Sequence, residues 1–134
     1  MYSMKETCEM VGMSYQTLKF YCNKGLIPNV KRDKNNYRIF DDNNIGWIKS
    51  LICLKKCGMS IEEIRQYLNL YLQGESTISE RKVLLDKRRK KLVKELQQIQ
   101  DSIDYIDWKQ NFYNDVIAGK IEYFSYLTDT KKQS

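Results

Sequence analysis

The chain has 134 residues, of which 42% are hydrophobic and 30% charged, with one proline, six glycines and no histidine. This length suits one domain with an appendage, and so few chain breakers favour long helices over a many-turned β protein. The lack of histidine removes the commonest general base and metal ligand, and the sequence also has no glycine-rich phosphate loop and no paired carboxylates in a cleft-like context, so we expect no enzyme. None of the four cysteines forms a C-x-x-C motif, and we expect no cofactor and no metal site.

The formal net charge is +6, and most of it lies in one short segment. From Lys19 to Arg38 there are six basic residues and one acid, with aromatic residues between them. Cations interleaved with aromatic rings near a short helix are typical of nucleic-acid contacts. The segment therefore predicts a nucleic-acid partner, and a merely solvated basic loop is the alternative.

Two short helices joined by a tight turn are predicted at the N-terminus. Apolar residues recur on one face from Met4, with Ser3 as the N-cap and Gly12 as the end. Ser14 is the predicted cap of a second helix over residues 17–22. Such a pair indicates a helix-turn-helix.

A β-hairpin is predicted for residues 31–40. Polar residues 33–36 form its tip, where Asn36 tolerates the left-handed backbone that a tight turn needs. The hairpin carries part of the basic segment, which suggests a small two-stranded wing.

Two further helices follow the hairpin. Asp41 or Asp42 caps the third helix, which is expected to end near Gly58. Ser60 begins a capping box for the fourth, which ends at Gly74. Residues 1–74 are therefore predicted to be a winged helix-turn-helix domain.

One long helix is predicted from about residue 79 to 117, within a segment 75–118. Its alternating three- and four-residue seam has twelve positions from 78 to 117, of which nine are apolar. A seam of this length predicts a coiled coil with a second copy of the chain. The residues proposed for dimerisation are Leu85, Leu92, Leu96, Ile99, Ile103, Ile106 and Tyr113.

Charge along this helix favours an antiparallel pair. Residues 81–94 carry a net +7, whereas residues 95–115 carry −4. Antiparallel packing lays the basic half of one chain on the acidic half of the other. The fold class is thus mainly α, with a winged helix-turn-helix, an antiparallel dimer helix and a short tail, residues 119–134.

Four motifs together resemble the MerR family of transcriptional regulators. They are T-L-K-F-Y at 17–21, G-L-I-P at 25–28, the wing at 32–40 and G-M-S-I-E-E-I at 58–64. The chain departs from the family pattern twice, with Cys22 in place of an acid and Asn36 in place of a glycine.

The resemblance implies a homodimer that binds double-stranded promoter DNA and distorts it in response to a signal, and so acts on RNA polymerase indirectly. The residues expected at the DNA are Tyr15, Gln16, Thr17, Lys19, Tyr21, Arg32, Tyr37 and Arg38, with a phosphate contact from the Tyr21 hydroxyl. Phe20, which lacks a polar group, is expected in the core.

The cysteine pattern bears on the signal. No cysteine follows Cys57, which argues against a metal sensor of the family's design. The context C-L-K-K-C-G-M-S from Cys53 is similar to short family members that respond to aldehydes or other thiol-reactive stress. Cys53 and Cys57 are therefore possible thiol sensors, and inert packing of Cys53 is the alternative.

A second functional class is an excisionase-like architectural DNA-binding protein, which shares the winged helix but usually lacks a long dimer helix. The longest uncharged runs have nine residues, and the N-terminus has no apolar segment of a secretory signal. We therefore expect a cytoplasmic protein without a membrane partner.

Overall fold

The computed structural model describes residues 1–128. This part of the chain contains five α-helices and three very short strands. In chain order they are β1 (Tyr2–Ser3), α1 (Met4–Val11), α2 (Tyr15–Asn23), β2 (Lys31–Arg32), β3 (Arg38–Phe40), α3 (Asp42–Lys56), α4 (Ile61–Leu72), a 3-10 turn (Glu75–Thr77) and α5 (Ile78–Ile117).

Polar caps fix where the helices begin. The Ser3 side chain accepts the N–H of Glu6, and the Glu6 carboxylate accepts the N–H of Ser3, which completes the predicted capping box. Ser60 begins a second predicted box. Of the two candidate caps for α3, Asp41 is the one used.

The sheet has one strand more than the predicted wing. The hairpin of β2 and β3 is confirmed, and Asn36 has the expected left-handed backbone with φ 66°. Strand β1 pairs antiparallel with the other edge of β3, with Tyr2 opposite Phe40. Two residues are too few to show an alternating pattern, so the sequence did not predict β1.

The core lies among α1 to α4 and β3. Fully buried side chains come from each of these elements, with Thr7 from α1, and from the connections after α2 and α3. The largest are Phe40, Leu18, Leu26, Ile48, Leu51, Met59 and Ile64. Short helices gain most of their stability from such tertiary packing.

The chain divides into two compact units. The first comprises Met1–Arg89, which includes the start of α5, and the second begins at Lys90. Helix α5 contains no buried residue. Among residues 1–128 no helix has both the length and the apolar character needed to cross a membrane.

Candidate nucleic-acid interface

Helix α2 turns a polar face to solvent. The Ser14 hydroxyl accepts the N–H of Thr17 at 3.1 Å and so fixes the first turn. Leu18 is buried, which directs the opposite side of the helix outward. The predicted DNA-binding residues on that exposed side are Tyr15, Gln16, Thr17 and Lys19.

Two neighbouring aromatic residues of α2 differ sharply in exposure. Phe20 is 44% exposed, with Lys24 Nζ 5.7 Å from its ring centroid, whereas Tyr21 is only 6% exposed. The expected burial of Phe20 was wrong, because the core stripe follows Leu18 and Tyr21, which lie three residues apart. The contact between the Tyr21 hydroxyl and a phosphate stays a prediction. An almost buried side chain would have to make that contact.

Hydrogen bonds hold the wing in a defined shape. The Asp33 carboxylate accepts the N–H groups of Asn35 and Tyr37 at 2.9 and 3.0 Å. Arg32 Nη1 donates to the carbonyl of Asn36 at 2.8 Å. Tyr37 projects from this framework and is 70% exposed. The wing therefore has its own internal hydrogen bonds, which do not depend on a partner.

A single side-chain bond joins the wing to α2. Arg38 Nη2 donates to Asn23 Oδ1 at 2.8 Å. Asn23 was not among the predicted site residues, because a pair 15 residues apart leaves no local pattern in the sequence. The bond fixes the guanidinium at the side of the recognition helix.

The two elements meet along a shallow groove of about 350 Å³. It brings Tyr15 of α2 together with Tyr37 and Arg38 of the wing. All three are among the residues that the sequence analysis expects at the DNA. Lys5 of α1 also lines it, a residue that the sequence analysis did not select. We call the exposed faces of α2 and the wing, with this groove, the basic surface.

Positive charge covers this surface. Arg38 is half-buried, and the other cations of the basic segment are exposed, namely Lys19, Lys24, Lys31, Arg32 and Lys34. Burial raises the pKa of the half-buried Cys22 thiol above its ordinary value, although the nearby Arg38 and Arg32 act in the opposite direction. The thiol is therefore neutral at pH 7 and adds no negative charge to the surface.

The two candidate sensor thiols lie on α3. Cys53 is exposed in the single chain, whereas inert packing would bury it. It lines an open groove of about 390 Å³ with the aromatic rings of Trp47, Tyr67 and Tyr71. Cys57 is half-buried, and its N–H donates to the carbonyl of Cys53 at 3.0 Å.

The predicted dimer residues form an exposed apolar row along α5. Their exposure ranges from 36% for Leu92 to 66% for Leu96. Leu85 differs from the rest because it also lines the Cys53 groove of its own unit. The others are Ile99, Ile103, Ile106 and Tyr113.

The second unit also carries an aromatic cluster that the seam analysis missed. Lys109 Nζ lies 5.3 Å from the ring centroid of Tyr113 and 5.7 Å from those of Trp108 and Phe112. Trp108 and Phe112 lie off the seam positions, so a search for three- and four-residue spacing passed over them. Among residues 1–128 no three cysteine or carboxylate side chains are grouped to hold a metal ion.

A recognition helix beside a basic wing defines a winged helix-turn-helix DNA-binding protein. The family described as MerR HTH family regulatory protein matches residues 2–70, and the MerR DNA-binding family matches residues 47–108. The chain belongs to the MerR family, and it is a DNA-binding transcriptional regulator and not an enzyme.

Relatives and solved structures agree with this assignment. An uncharacterised HTH-type transcriptional regulator of Haemophilus influenzae is 34% identical over 112 residues, which are 84% of this chain and 83% of that protein. The regulator AdhR of Bacillus subtilis is 33% identical over 91 residues, 68% of this chain and 65% of its own.

Two crystal structures have the same fold. HiNmlR, a MerR family regulator lacking the sensor domain and bound to promoter DNA, is 33% identical, with a TM-score of 0.70 over 87% of this chain and 93% of that one. A MerR-type protein of Listeria monocytogenes is 31% identical, with a TM-score of 0.77 over 89% and 90%.

Proposed function

We propose that two copies of the chain bind one promoter through their basic surfaces and distort its DNA in response to a signal. The observation that carries this proposal is the groove in which Tyr15 of α2 meets Tyr37 and Arg38 of the wing. A helix of this kind enters the major groove, while a wing contacts the backbone or the minor groove. HiNmlR, which is similar to this chain, is bound to promoter DNA in its crystal structure.

The second copy is needed to cover α5. Leu96 and Ile99 lie in the middle of the apolar row and are 66% and 58% exposed. A contiguous apolar row on a monomer is costly in water, and pairing with an identical helix buries it. The net charges of +7 over residues 81–94 and −4 over 95–115 support the antiparallel orientation.

The proposed functional division follows from these roles. Residues 1–74 bind DNA, residues 75–118 dimerise, and residues 119–134 form a tail whose last six residues lie outside the described structure. The protein acts in the cytoplasm, where promoter DNA is available, and affects RNA polymerase through the shape of the promoter.

For the signal, the exposed thiol of Cys53 supports modification by an electrophile such as an aldehyde. The Cys53 sulfur would bond to the aldehyde carbon while the C=O π bond breaks and the thiol proton passes to the oxygen, which gives a hemithioacetal. The added bulk in the groove would shift the dimer towards its DNA-distorting state. The aromatic walls of Trp47, Tyr67 and Tyr71 favour a second candidate, a small apolar molecule held without covalent attachment.

Replacement of Cys53 by serine separates these two signals. With a thiol signal, the variant retains DNA affinity but loses the increase in transcription that an aldehyde causes in wild type. Cys57→Ser is the matched control and should respond like wild type if Cys53 alone reacts. Retained induction in Cys53→Ser would falsify the thiol mechanism and leave the groove-bound molecule.

Footprinting on the DNA beside the coding sequence tests the DNA-binding proposal itself. We expect protection of one site between the two elements of a promoter, together with increased transcription in vitro under the active signal. Protection of several clustered sites at a recombination attachment region would instead indicate the excisionase-like alternative.

A further inference from the structure

Two arginines near the start of α5 leave the same side of the helix and contact residues 1–74, which we call the DNA-binding unit. Arg81 and Arg88 are seven residues apart, close to two helical turns, so their side chains leave α5 in similar directions. Both are half-buried, whereas Lys87, beside Arg88, is exposed. All three residues belong to the first unit.

Arg81 contacts the connection between α4 and α5. Its Nη2 donates to the carbonyl of Gly74 at 2.8 Å, and its Nε donates to the Thr77 hydroxyl at 3.2 Å. The guanidinium also lies 5.1 Å from the ring centroid of Tyr71, near the end of α4. One side chain thus links α5, the connection and α4.

Arg88 reaches the end of a different helix. Its Nε donates to the carbonyl of Cys57 at 2.6 Å, across 31 residues of sequence. Cys57 is the C-cap of α3, where the last carbonyls carry partial negative charge and lack partners within the helix. A cation at this position satisfies one of them and interacts favourably with the helix dipole.

The residue after Cys57 leaves room for this contact. A Cβ atom at Gly58 would stand 2.7 Å from Arg88 Nη2 and 3.1 Å from Cζ. Gly58 also has φ +82°, which side-chain-bearing residues rarely adopt. The glycine therefore provides both the turn and the space that the guanidinium occupies.

We propose that Arg81 and Arg88 form an arginine clamp that fixes the start of α5 on the DNA-binding unit. They are positioning residues, since neither lies on the basic surface. The inference rests on the proposed function, because the start of α5 that the clamp holds belongs to the helix proposed to join the two copies. Arginine suits this role because its planar group offers several donors in fixed directions.

The clamp has a definite consequence for DNA binding. Once the DNA-binding unit of one copy is bound, the other copy binds the second half-site at an effective concentration. That concentration depends on how firmly each DNA-binding unit is attached to the start of its own α5. A loose connection lowers that concentration without changing either basic surface. The clamp should therefore control the advantage of a two-half-site operator over a single half-site.

The test compares Arg81→Met/Arg88→Met with Lys87→Met/Lys91→Met, a control that removes the same charge from α5. The ratio of affinities for the footprinted operator and for one half-site is measured at constant salt. In the clamp variant we expect this ratio to fall about tenfold with the half-site affinity unchanged. The control should keep the wild-type ratio.

A second measurement does not require DNA. A glutamate-specific protease that cuts after Glu75 or Glu80 should cleave the clamp variant faster than wild type, because the connection opens more often. Arg81→Lys/Arg88→Lys should give an intermediate rate, since lysine can restore part of the hydrogen bonding. If the two arginines only filled space, the methionine and lysine variants should be cleaved at similar rates.

The outcomes separate the clamp from the proposed function. A clamp variant with the wild-type affinity ratio and the wild-type cleavage rate would overturn the clamp. A wild-type protein that binds no promoter DNA would overturn the proposed function. In that case the protease comparison alone decides whether the arginines hold α5.

Discussion

The two compact units bury their apolar residues to very different extents. Within residues 1–128 every buried core residue belongs to the unit Met1–Arg89, where Leu18, Phe40 and Leu51 are fully buried. Helix α5 buries none of its residues, although its seam is largely apolar. The first unit therefore has the interior of a folded domain, whereas the helix has an exposed apolar row.

From this difference we infer that the stability of the first unit and the assembly of two copies depend on separate parts of the sequence. A helix without a packed face gains little from propensity alone and needs tertiary or intermolecular contacts. The first unit has its core and caps within one chain. Substitutions in the seam should thus affect dimerisation, and substitutions on the basic surface should affect DNA binding alone.

The largest expected effect is the loss of the dimer in Leu96→Asp. Each dimer would bury two carboxylates in an apolar seam, and the cost of burying unpaired charge should raise the dissociation constant by about a thousandfold or more, about 4 kcal/mol. Sedimentation should give twice 16.0 kDa for wild type at micromolar concentration and 16.0 kDa for the variant.

The same variant should lose operator binding but keep a folded first unit, visible in its near-ultraviolet circular dichroism. Gln98→Asp adds the same charge at an exposed position off the seam and should remain a dimer. A Leu96→Asp protein that stays dimeric would show that this row is not the interface.

Lys19→Ala and Arg38→Ala should produce the opposite result, with weaker DNA binding and an intact dimer. Each removes one cation from each of two basic surfaces, so we expect affinity to fall about tenfold and the salt dependence to lessen by about 1.8 per dimer. Titrations at several salt concentrations measure both quantities.

Arg38→Ala also breaks the bond to Asn23, so Asn23→Ala distinguishes charge from positioning. It should weaken binding while the salt dependence stays as in wild type. If Lys19→Ala and Arg38→Ala bind like wild type, helix α2 and the wing do not form the DNA contact.

A smaller effect distinguishes the thiols within the first unit. Burial raises the pKa of the Cys8 and Cys22 thiols, so a smaller fraction of each is thiolate at pH 7. Iodoacetamide should therefore modify exposed Cys53 before either of them, and their modification should accelerate as the pH rises. Mass spectrometry of peptides follows the modification of each cysteine. In urea, which unfolds the protein, Cys53 should no longer react before Cys8 and Cys22.

Local patterns allowed much of the fold to be predicted from the sequence. The capping boxes at Ser3 and Ser60 and the left-handed Asn36 depend on residues within a few positions, and all three are present. The apolar seam of α5 could be predicted because its three- and four-residue spacing repeats many times. These features require no knowledge of distant contacts.

Contacts between distant residues could not be predicted in this way. The pairing of Tyr2 with Phe40, the bond from Arg38 to Asn23 and the bond from Arg88 to Cys57 each join separate elements. The burial of Phe20 was wrongly expected, because the lack of a polar group does not say which face of the nine-residue helix the side chain occupies.

The smallest expected effect concerns the core of the first unit. Thr7 is fully buried, and its hydroxyl has no hydrogen-bond partner among residues 1–128. An unsatisfied buried hydroxyl costs free energy, and valine has nearly the same shape without that group, so Thr7→Val should raise the free energy of unfolding by about 1 kcal/mol. Urea denaturation at one fixed protein concentration measures the change, since dimerisation makes stability depend on concentration. Thr7→Ser keeps the hydroxyl, loses a methyl group and should be less stable than wild type. A Thr7→Val protein less stable than wild type would mean that the hydroxyl is satisfied in solution.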